Sequence, residues 1–176
     1  MKSKNFEFLR ERRSTLADLG AFAEKYANSD PSGSLIKQRA LVENIVEIIY
    51  SDARLPAEYG ANLFDLMTGD VFTEMMSTVV LDKLHLVRKR GNKAAHGESC
   101  SPGFAKDALS ETYDIARWFH IAYNGGQPSD FQPYVEMASS LEEESEAQLA
   151  RQNKALEAEL ARKEAQLQEL LTDQAQ

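Results

Sequence analysis

The segment LIKQRALVENIVEII, from Leu35 to Ile49, indicates the fold class of this 176-residue chain. Its apolar residues recur at intervals of three and four, and this spacing places them on one face of an α-helix. Arg39 and Glu43 lie on the polar face at the spacing of a helical ion pair. We expect Ser34 to cap the helix at its N-terminus. We expect the apolar face to be buried; it consists of Leu35, Val42, Ile45, Val46 and Ile49.

Helical periodicity continues on both sides of this segment, and no alternating strand pattern of useful length occurs. We therefore predict an all-α fold, a helical bundle of four or five helices over residues 1–126. Ser101 followed by Pro102 is typical of a helix start, and the Asn-Gly-Gly run at 124–126 is typical of a helix end. The other predicted helices run from about Asn5 to Ala27, from about Asn62 to Thr68 and from about Thr73 to Ala95.

Beyond the bundle, residues 127–137 read as a polar connector that we expect to lie across its surface, and residues 138–176 as a long acidic C-terminal helix. Nine acidic and four basic residues from Leu141 onward give this end a charge of −5, out of −8 for the whole chain. Asn153 takes an a position of a heptad pattern, where a single Asn sets the register of parallel dimers. The pattern fits two alternatives, a short dimeric coiled coil or a solvated helical linker. The d positions are Leu149, Leu156, Lys163 and Leu170, and the other a positions are Leu160 and Leu167.

Several functional classes lack their sequence signatures here. No phosphate-binding loop, dinucleotide fingerprint or metal-ligand spacing occurs, so we expect no cofactor and no metal site in this chain. No apolar run reaches the roughly 18 residues of a membrane-spanning helix, and the single cysteine, Cys100, excludes an intrachain disulfide. These features predict a cytoplasmic protein with no membrane partner. We interpret His85 and His120 as structural residues, because both lie beside apolar positions in helical patterns.

The segment LVRKRGNKAAH, from Leu86 to His96, carries the candidate site. Arg88, Asn92 and His96 are spaced by four and therefore line one stripe of a helix. Such a trio could cleave RNA, with His96 moving a proton, Arg88 stabilising the charged transition state and Asn92 orienting either group. Alternatively, the trio fixes the turn at the helix end, with Asn92 and His96 satisfying backbone groups and Arg88 paired to an acid. The candidate acids are Glu24, Glu43 and Glu47.

Basic residues surround this stripe and predict a further use, binding to a DNA backbone or to a partner protein. Gly91 lies among them and costs about 1 kcal/mol relative to Ala inside a helix, which indicates a close approach of another element or a local bend. The predicted binding residues are Lys83, Arg88, Lys89, Arg90, Asn92, Lys93 and His96.

Several segments, in order along the chain, resemble the N-terminal region of the R subunits of type I restriction enzymes. The best-marked is Leu86 to His96, in the pattern Leu-Val-Arg-x-x-Gly-Asn-x-Ala-x-His. The resemblance covers most of the chain, and the acidic end is similar to the helical linker that follows this region in the family. The other matching segments are Lys4 to Leu9, Leu19-Gly20, Ala23-Glu24, Asp30-Pro31, Leu35 to Lys37 with Arg39, and Ala116 to Phe119.

The resemblance implies a HEPN-like helical module of poorly defined function. In the full subunit this module precedes a nuclease domain and an ATP-driven DNA translocase, whose motifs this chain lacks. The resemblance therefore implies an N-terminal fragment, or a stand-alone relative, of a restriction endonuclease subunit. We expect the chain itself to be non-catalytic and to act in assembly or regulation with the other subunits of a restriction-modification complex.

Two alternatives remain open beside this expectation. Active HEPN ribonucleases carry Arg directly before the polar residue of their motif, where this sequence has Gly91. A ribonuclease would therefore depend on Arg88, one turn earlier, together with Asn92 and His96. The other alternative is a dimeric helical adaptor, a homodimer joined through residues 138–176.

Overall fold

The computed structural model describes residues 1–138 and 140–173, with side chains for all of these except 140–144, 146, 147 and 166–173. Every regular element in these ranges is helical, so the prediction of an all-α helical bundle is confirmed. Short 3-10 turns at Glu7–Leu9 and Pro128–Asp130 precede the first α-helix and follow the sixth. The α-helices are α1 (Ser14–Tyr26), α2 (Pro31–Asp52), α3 (Leu63–Thr68), α4 (Asp70–Met75), α5 (Thr78–Ala95), α6 (Pro102–Ala122) and α7 (Ser140–Asp173).

Helix α2 lies at the centre of the bundle, where it contacts α1, α5 and α6. The residues predicted for its apolar face are all fully buried. Among them lies buried Gln38, whose Nε2 donates to the Ser34 hydroxyl (3.1 Å) and to the Ala105 carbonyl of α6 (3.0 Å). Each large apolar side chain that is fully buried contributes about 1.5–3 kcal/mol. The large aromatic members of this core are Phe6, Phe72, Tyr113 and Phe119.

The first helix is shorter than the predicted span from Asn5 to Ala27, because the N-terminal segment folds back across α1. The Phe6 ring fills the place of a Gly20 side chain, with its Cγ 2.4 Å from where a Cβ would stand. The buried Glu24 carboxylate accepts hydrogen bonds from the backbone N–H groups of Lys4 (2.8 Å) and Asn5 (2.7 Å). These contacts hold the segment beside α1 and not in line with it.

Helix α2 begins at Pro31, and the expectation that Ser34 caps it is wrong. Asp30 is the cap, because its carboxylate accepts the Gly33 N–H (2.9 Å) and Pro31 takes the first helical position, where no N–H is needed. Ser34 lies inside the helix, and its hydroxyl donates to the Ala23 carbonyl of α1 (2.7 Å). The serine therefore joins two helices.

The predicted helix from Thr73 to Ala95 is two helices. The backbone becomes extended at Met76 (ψ 142°) and Ser77 (ψ 149°), which ends α4 at Met75. The Ser77 hydroxyl then accepts the Val80 N–H (3.3 Å) and caps α5. Because Met76 is buried at this break, the apolar pattern runs through it without interruption.

The connector lies across the bundle, as the sequence predicted. The Asn5 side chain accepts the Val135 backbone N–H (2.7 Å) and donates to the Val135 carbonyl (3.0 Å). The Tyr113 hydroxyl of α6 donates to the Gln132 carbonyl. By its internal contacts the chain divides into two compact units, Met1–Met137 and Ala138–Gln176.

The second unit contains α7, a helix with exposed leucines at Leu149, Leu156 and Leu160. Lys163, at a predicted d position, pairs with Glu159 one turn earlier (3.0 Å). The predicted heptad residues Leu167 and Leu170 have side chains outside the described residues. None of the helices in the described ranges is long and apolar enough to cross a membrane.

Candidate functional site

The predicted segment Leu86 to His96 lies on α5 and directly after it, and its residues contact different neighbouring helices. Gly91 faces α2, where a Cβ would lie 2.4 Å from the Arg39 Cβ and 3.0 Å from the Leu35 carbonyl oxygen. The close approach predicted at this glycine is therefore confirmed. The Arg88 guanidinium carbon lies 4.9 Å from the centre of the Phe64 ring of α3, and the Arg90 guanidinium carbon lies 4.1 Å from the Phe104 ring of α6.

A cleft of about 550 Å³ opens between α3 and α5 and is called the α3–α5 cleft below. This volume lies in the range of small-ligand sites. The capping box of Asn62 and Asp65 holds the first turn of α3, since the Asn62 amide oxygen accepts the Phe64 N–H (2.8 Å). The cleft therefore has one wall on a fixed helical turn. Its lining residues are Phe64, Thr68, Asp82, His85, Leu86, Arg88, Lys89 and Arg90.

Arg88 carries a charge in this cleft that no carboxylate neutralises. Among the described residues, its guanidinium forms no ion pair or hydrogen bond, and its Nε is buried without a partner. The predicted pairing with Glu24, Glu43 or Glu47 is absent. Glu24 is occupied by the N-terminal backbone, and Glu43 lies 3.9 Å from Arg39 of its own helix.

The setting of His85 favours the neutral form of its imidazole. Burial is the main cause that lowers its pKa from 6.5, and the nearby charges of Arg88 and Lys89 lower it further. Its ring lies 6.3 Å from the Phe64 ring, centre to centre. A neutral imidazole offers one donor and one acceptor nitrogen. The cleft therefore combines three cations (Arg88, Lys89 and Arg90) with an aromatic ring, the His85 imidazole and the Asp82 carboxylate.

Lys83, which was predicted to belong to the binding surface, forms ion pairs with α6 instead. Its ammonium donates to Glu111 and to Asp114 (2.9 Å). Burial opposes its charge, but these hydrogen bonds outweigh burial and raise its pKa. Lys93 lies on another side of α5, 3.5 Å from Glu98. Neither lysine lines the α3–α5 cleft.

The trio proposed for RNA cleavage is not assembled around one point. Asn92 is half-buried and His96 is exposed at the end of α5, whereas Arg88 is turned toward Phe64. Eight residues of helix separate Arg88 from His96, about 12 Å along the axis. The turn after α5 uses backbone groups, since the His96 N–H donates to the Asn92 carbonyl (3.0 Å) and Gly97 adopts φ 81°. Among the described residues, the side chains of Asn92 and His96 form no hydrogen bond.

Sequence reasoning missed Phe64 and Asp82, and it treated His85 as structural. The sequence did contain a signal for part of the cleft lining. Asp82, His85 and Lys89 are spaced so that they lie on one face of α5. Phe64 carried no such signal, because it belongs to a different helix.

A second polar group surrounds buried His120 at the end of α6. Its Nε2 lies 3.0 Å from the Asp130 carboxylate and its Nδ1 lies 3.1 Å from the Asn124 amide nitrogen. Both ring nitrogens are thus engaged, and a carboxylate partner assigns the proton to Nε2. This group joins the connector to the bundle, in agreement with a structural role for His120.

No family model, curated protein or solved structure matches this chain. Across residues 1–138 and 140–173, no group of three or more His, Cys, Asp or Glu is placed to hold a metal ion.

Proposed function

We propose that Met1–Met137 is an accessory DNA-binding module and that it corresponds to the helical module at the N-terminus of type I restriction enzyme R subunits. In this proposal the α3–α5 cleft contacts the DNA phosphate backbone, and the other subunits of the restriction-modification complex are its protein partners. The proposal places the protein in the cytoplasm, in defence against foreign DNA.

One observation carries the proposal, the unneutralised guanidinium of Arg88 at the wall of a cleft that also holds Lys89. A guanidinium offers a rigid fork of donors that matches a phosphate. Its partial burial reduces screening by salt, so an approaching anion interacts more strongly than at an open surface. The Phe64 ring adds a cation–π contact, with the guanidinium carbon 4.9 Å from the ring centre.

The resemblance to restriction subunits supports the same reading from the sequence. Its best-marked segment, Leu86 to His96, lies on and directly after α5. That segment supplies Arg88 and Lys89 to the cleft.

Fluorescence anisotropy with a labelled DNA duplex tests the proposal, using the full chain. We expect Lys89→Gln to weaken binding several-fold and to reduce the slope of log affinity against log salt by about 1, the value for one lost phosphate contact. Arg88→Gln should weaken binding at least as much. The matched control is Lys93→Gln, which removes the same charge from the same helix outside the cleft and should leave binding unchanged.

If Lys89→Gln and Lys93→Gln lowered duplex affinity equally, binding would depend only on the net charge of the protein, and the cleft would not be the site. Undetectable duplex binding at low salt by the wild-type chain would rule the proposal out.

A further inference from the structure

We infer that the α3–α5 cleft binds a nucleotide unit with an exposed base, in which Arg88 and Lys89 hold the phosphate and the base stacks on Phe64. This inference rests on the proposed function and specifies the form of nucleic acid that the cleft takes.

The aromatic wall is the first argument. Phe64 remains 47% exposed although a guanidinium lies over its ring. Its backbone is held by the Asn62 cap, so the ring stands on a fixed turn. A rigid, exposed aromatic ring next to cations is the usual platform for unpaired bases, and stacking of this kind contributes about 1–3 kcal/mol per base.

The order of polar groups along α5 is the second argument. Arg88 and Lys89 lie at one end of the cleft and the exposed Asp82 at the other, about 10 Å apart along the helix axis. One phosphate can meet the cations, but a second phosphate further along the cleft would be repelled by Asp82. A nucleotide unit avoids this repulsion, because its phosphate meets the cations while N–H groups on its base edge donate to Asp82. The His85 imidazole, between the two ends, can hydrogen-bond to the same base edge.

The accessibility of bases is the third argument. In a duplex both faces of each base are covered by stacking, and extruding a base costs a few kcal/mol. A single strand presents its bases without this cost. The cleft should therefore bind a single strand more tightly than the matching duplex.

The test compares a labelled deoxycytidine oligonucleotide with its duplex, by fluorescence anisotropy on the full chain. We expect the single strand to bind at least about fivefold more tightly, the lower end of the stacking contribution. Phe64→Leu should abolish this preference for the single strand. The matched control is Phe104→Leu, which removes the other ring stacked by an arginine of α5 (4.1 Å) and should retain the preference. Circular dichroism checks that each variant is folded.

Competition with deoxycytidine monophosphate distinguishes a site for a free nucleotide from a site for a nucleotide within a single strand. Displacement by the monophosphate at low concentration supports the site as a free-nucleotide site, and displacement only by an unlabelled oligonucleotide supports a strand. A preference for single strands that survives in Phe64→Leu overturns the inference. If Lys89→Gln still weakens duplex binding in that case, the proposed function stands. If neither DNA form binds, both fall.

Discussion

Gly91 and Arg39 are in contact across the α2–α5 interface, such that a Cβ on residue 91 would lie 2.4 Å from the Arg39 Cβ. The Leu35 carbonyl oxygen would lie 3.0 Å from the same atom. Neither neighbour is the end of a flexible side chain, so α5 can approach α2 this closely only with glycine at this position. This contact fixes the rotation of α5, and with it the side on which Arg88 meets Phe64.

Gly91→Ala is therefore expected to destabilise the bundle. Overpacking costs up to about 3 kcal/mol and the better helix propensity of Ala returns about 1, so a net loss of up to about 2 kcal/mol is expected. Urea unfolding followed by circular dichroism measures it. Gly103→Ala in α6 is the control, because no atom lies within 4 Å of its Cβ position. Equal stability of the two variants would contradict the close contact.

Gln38→Leu is expected to lower the free energy of unfolding by about 1–2 kcal/mol, because it removes buried hydrogen bonds to Ser34 and Ala105. The loss stays moderate, since the Thr112 hydroxyl, which also donates to the Gln38 amide oxygen (3.3 Å), keeps its bond to the Ala108 carbonyl (2.8 Å). Gln38→Glu should be worse at neutral pH, since it places a charge where the side chain is fully buried. Urea midpoints decide the order, and a Leu variant as stable as wild type would show that this polar link contributes nothing.

Lys83→Gln is expected to lower the free energy of unfolding without changing DNA affinity. Lys83 pairs with Glu111 and Asp114 in a partly exposed setting, where its side chain is 26% exposed. Its loss should cost about 0.5–1 kcal/mol in a urea titration. Duplex affinity should stay within twofold of wild type. A large loss of affinity, on the scale of Lys89→Gln, would return Lys83 to the binding surface.

Acid should weaken the attachment of the connector through Asp130. Its pKa lies below 3.8 because it accepts the Gln127 backbone N–H (2.7 Å) and, second, the His120 Nε2–H (3.0 Å). A carboxyl whose pKa is lowered in the folded state contributes stability above its unfolded value, and this is lost as the pH falls through the folded pKa. Between pH 5 and pH 2.5, the urea midpoint should fall less steeply for Asp130→Asn than for wild type. Glu58→Gln, in an exposed loop, should follow the wild-type curve, and parallel curves for all three proteins would refute the role of Asp130.

The full chain is expected to be monomeric at micromolar concentration. In a parallel dimer of α7, Glu159 at a g position would face Glu164 at an e position of the second chain, and Lys163 would occupy the seam. Light scattering on the full chain and on residues 1–137 measures the masses. A doubled mass for the full chain alone would establish the homodimer through residues 138–176.

Much of the fold could be predicted from the sequence because helical periodicity is local. The burial of Leu35 and Ile49 on one face of α2 follows from spacing along a single helix. The breaks were predicted less well. The extended backbone at Met76 and the fold-back of Phe6 onto Gly20 depend on packing between elements, and periodicity carries no information about it.

Helical periodicity alone was enough to predict an all-helical chain and the buried face of α2, and Gly91 indicated either a close approach or a local bend. The sequence also placed Arg88 and Lys89 in the candidate site. Which of the cations lack a carboxylate partner depends on packing between helices, because the partners are distant in sequence. Lys83 is held by Glu111 and Asp114 of α6, whereas Arg88 meets the ring of Phe64. The charge of a side chain follows from its residue type, but whether an opposite charge neutralises it depends on which helices pack against each other.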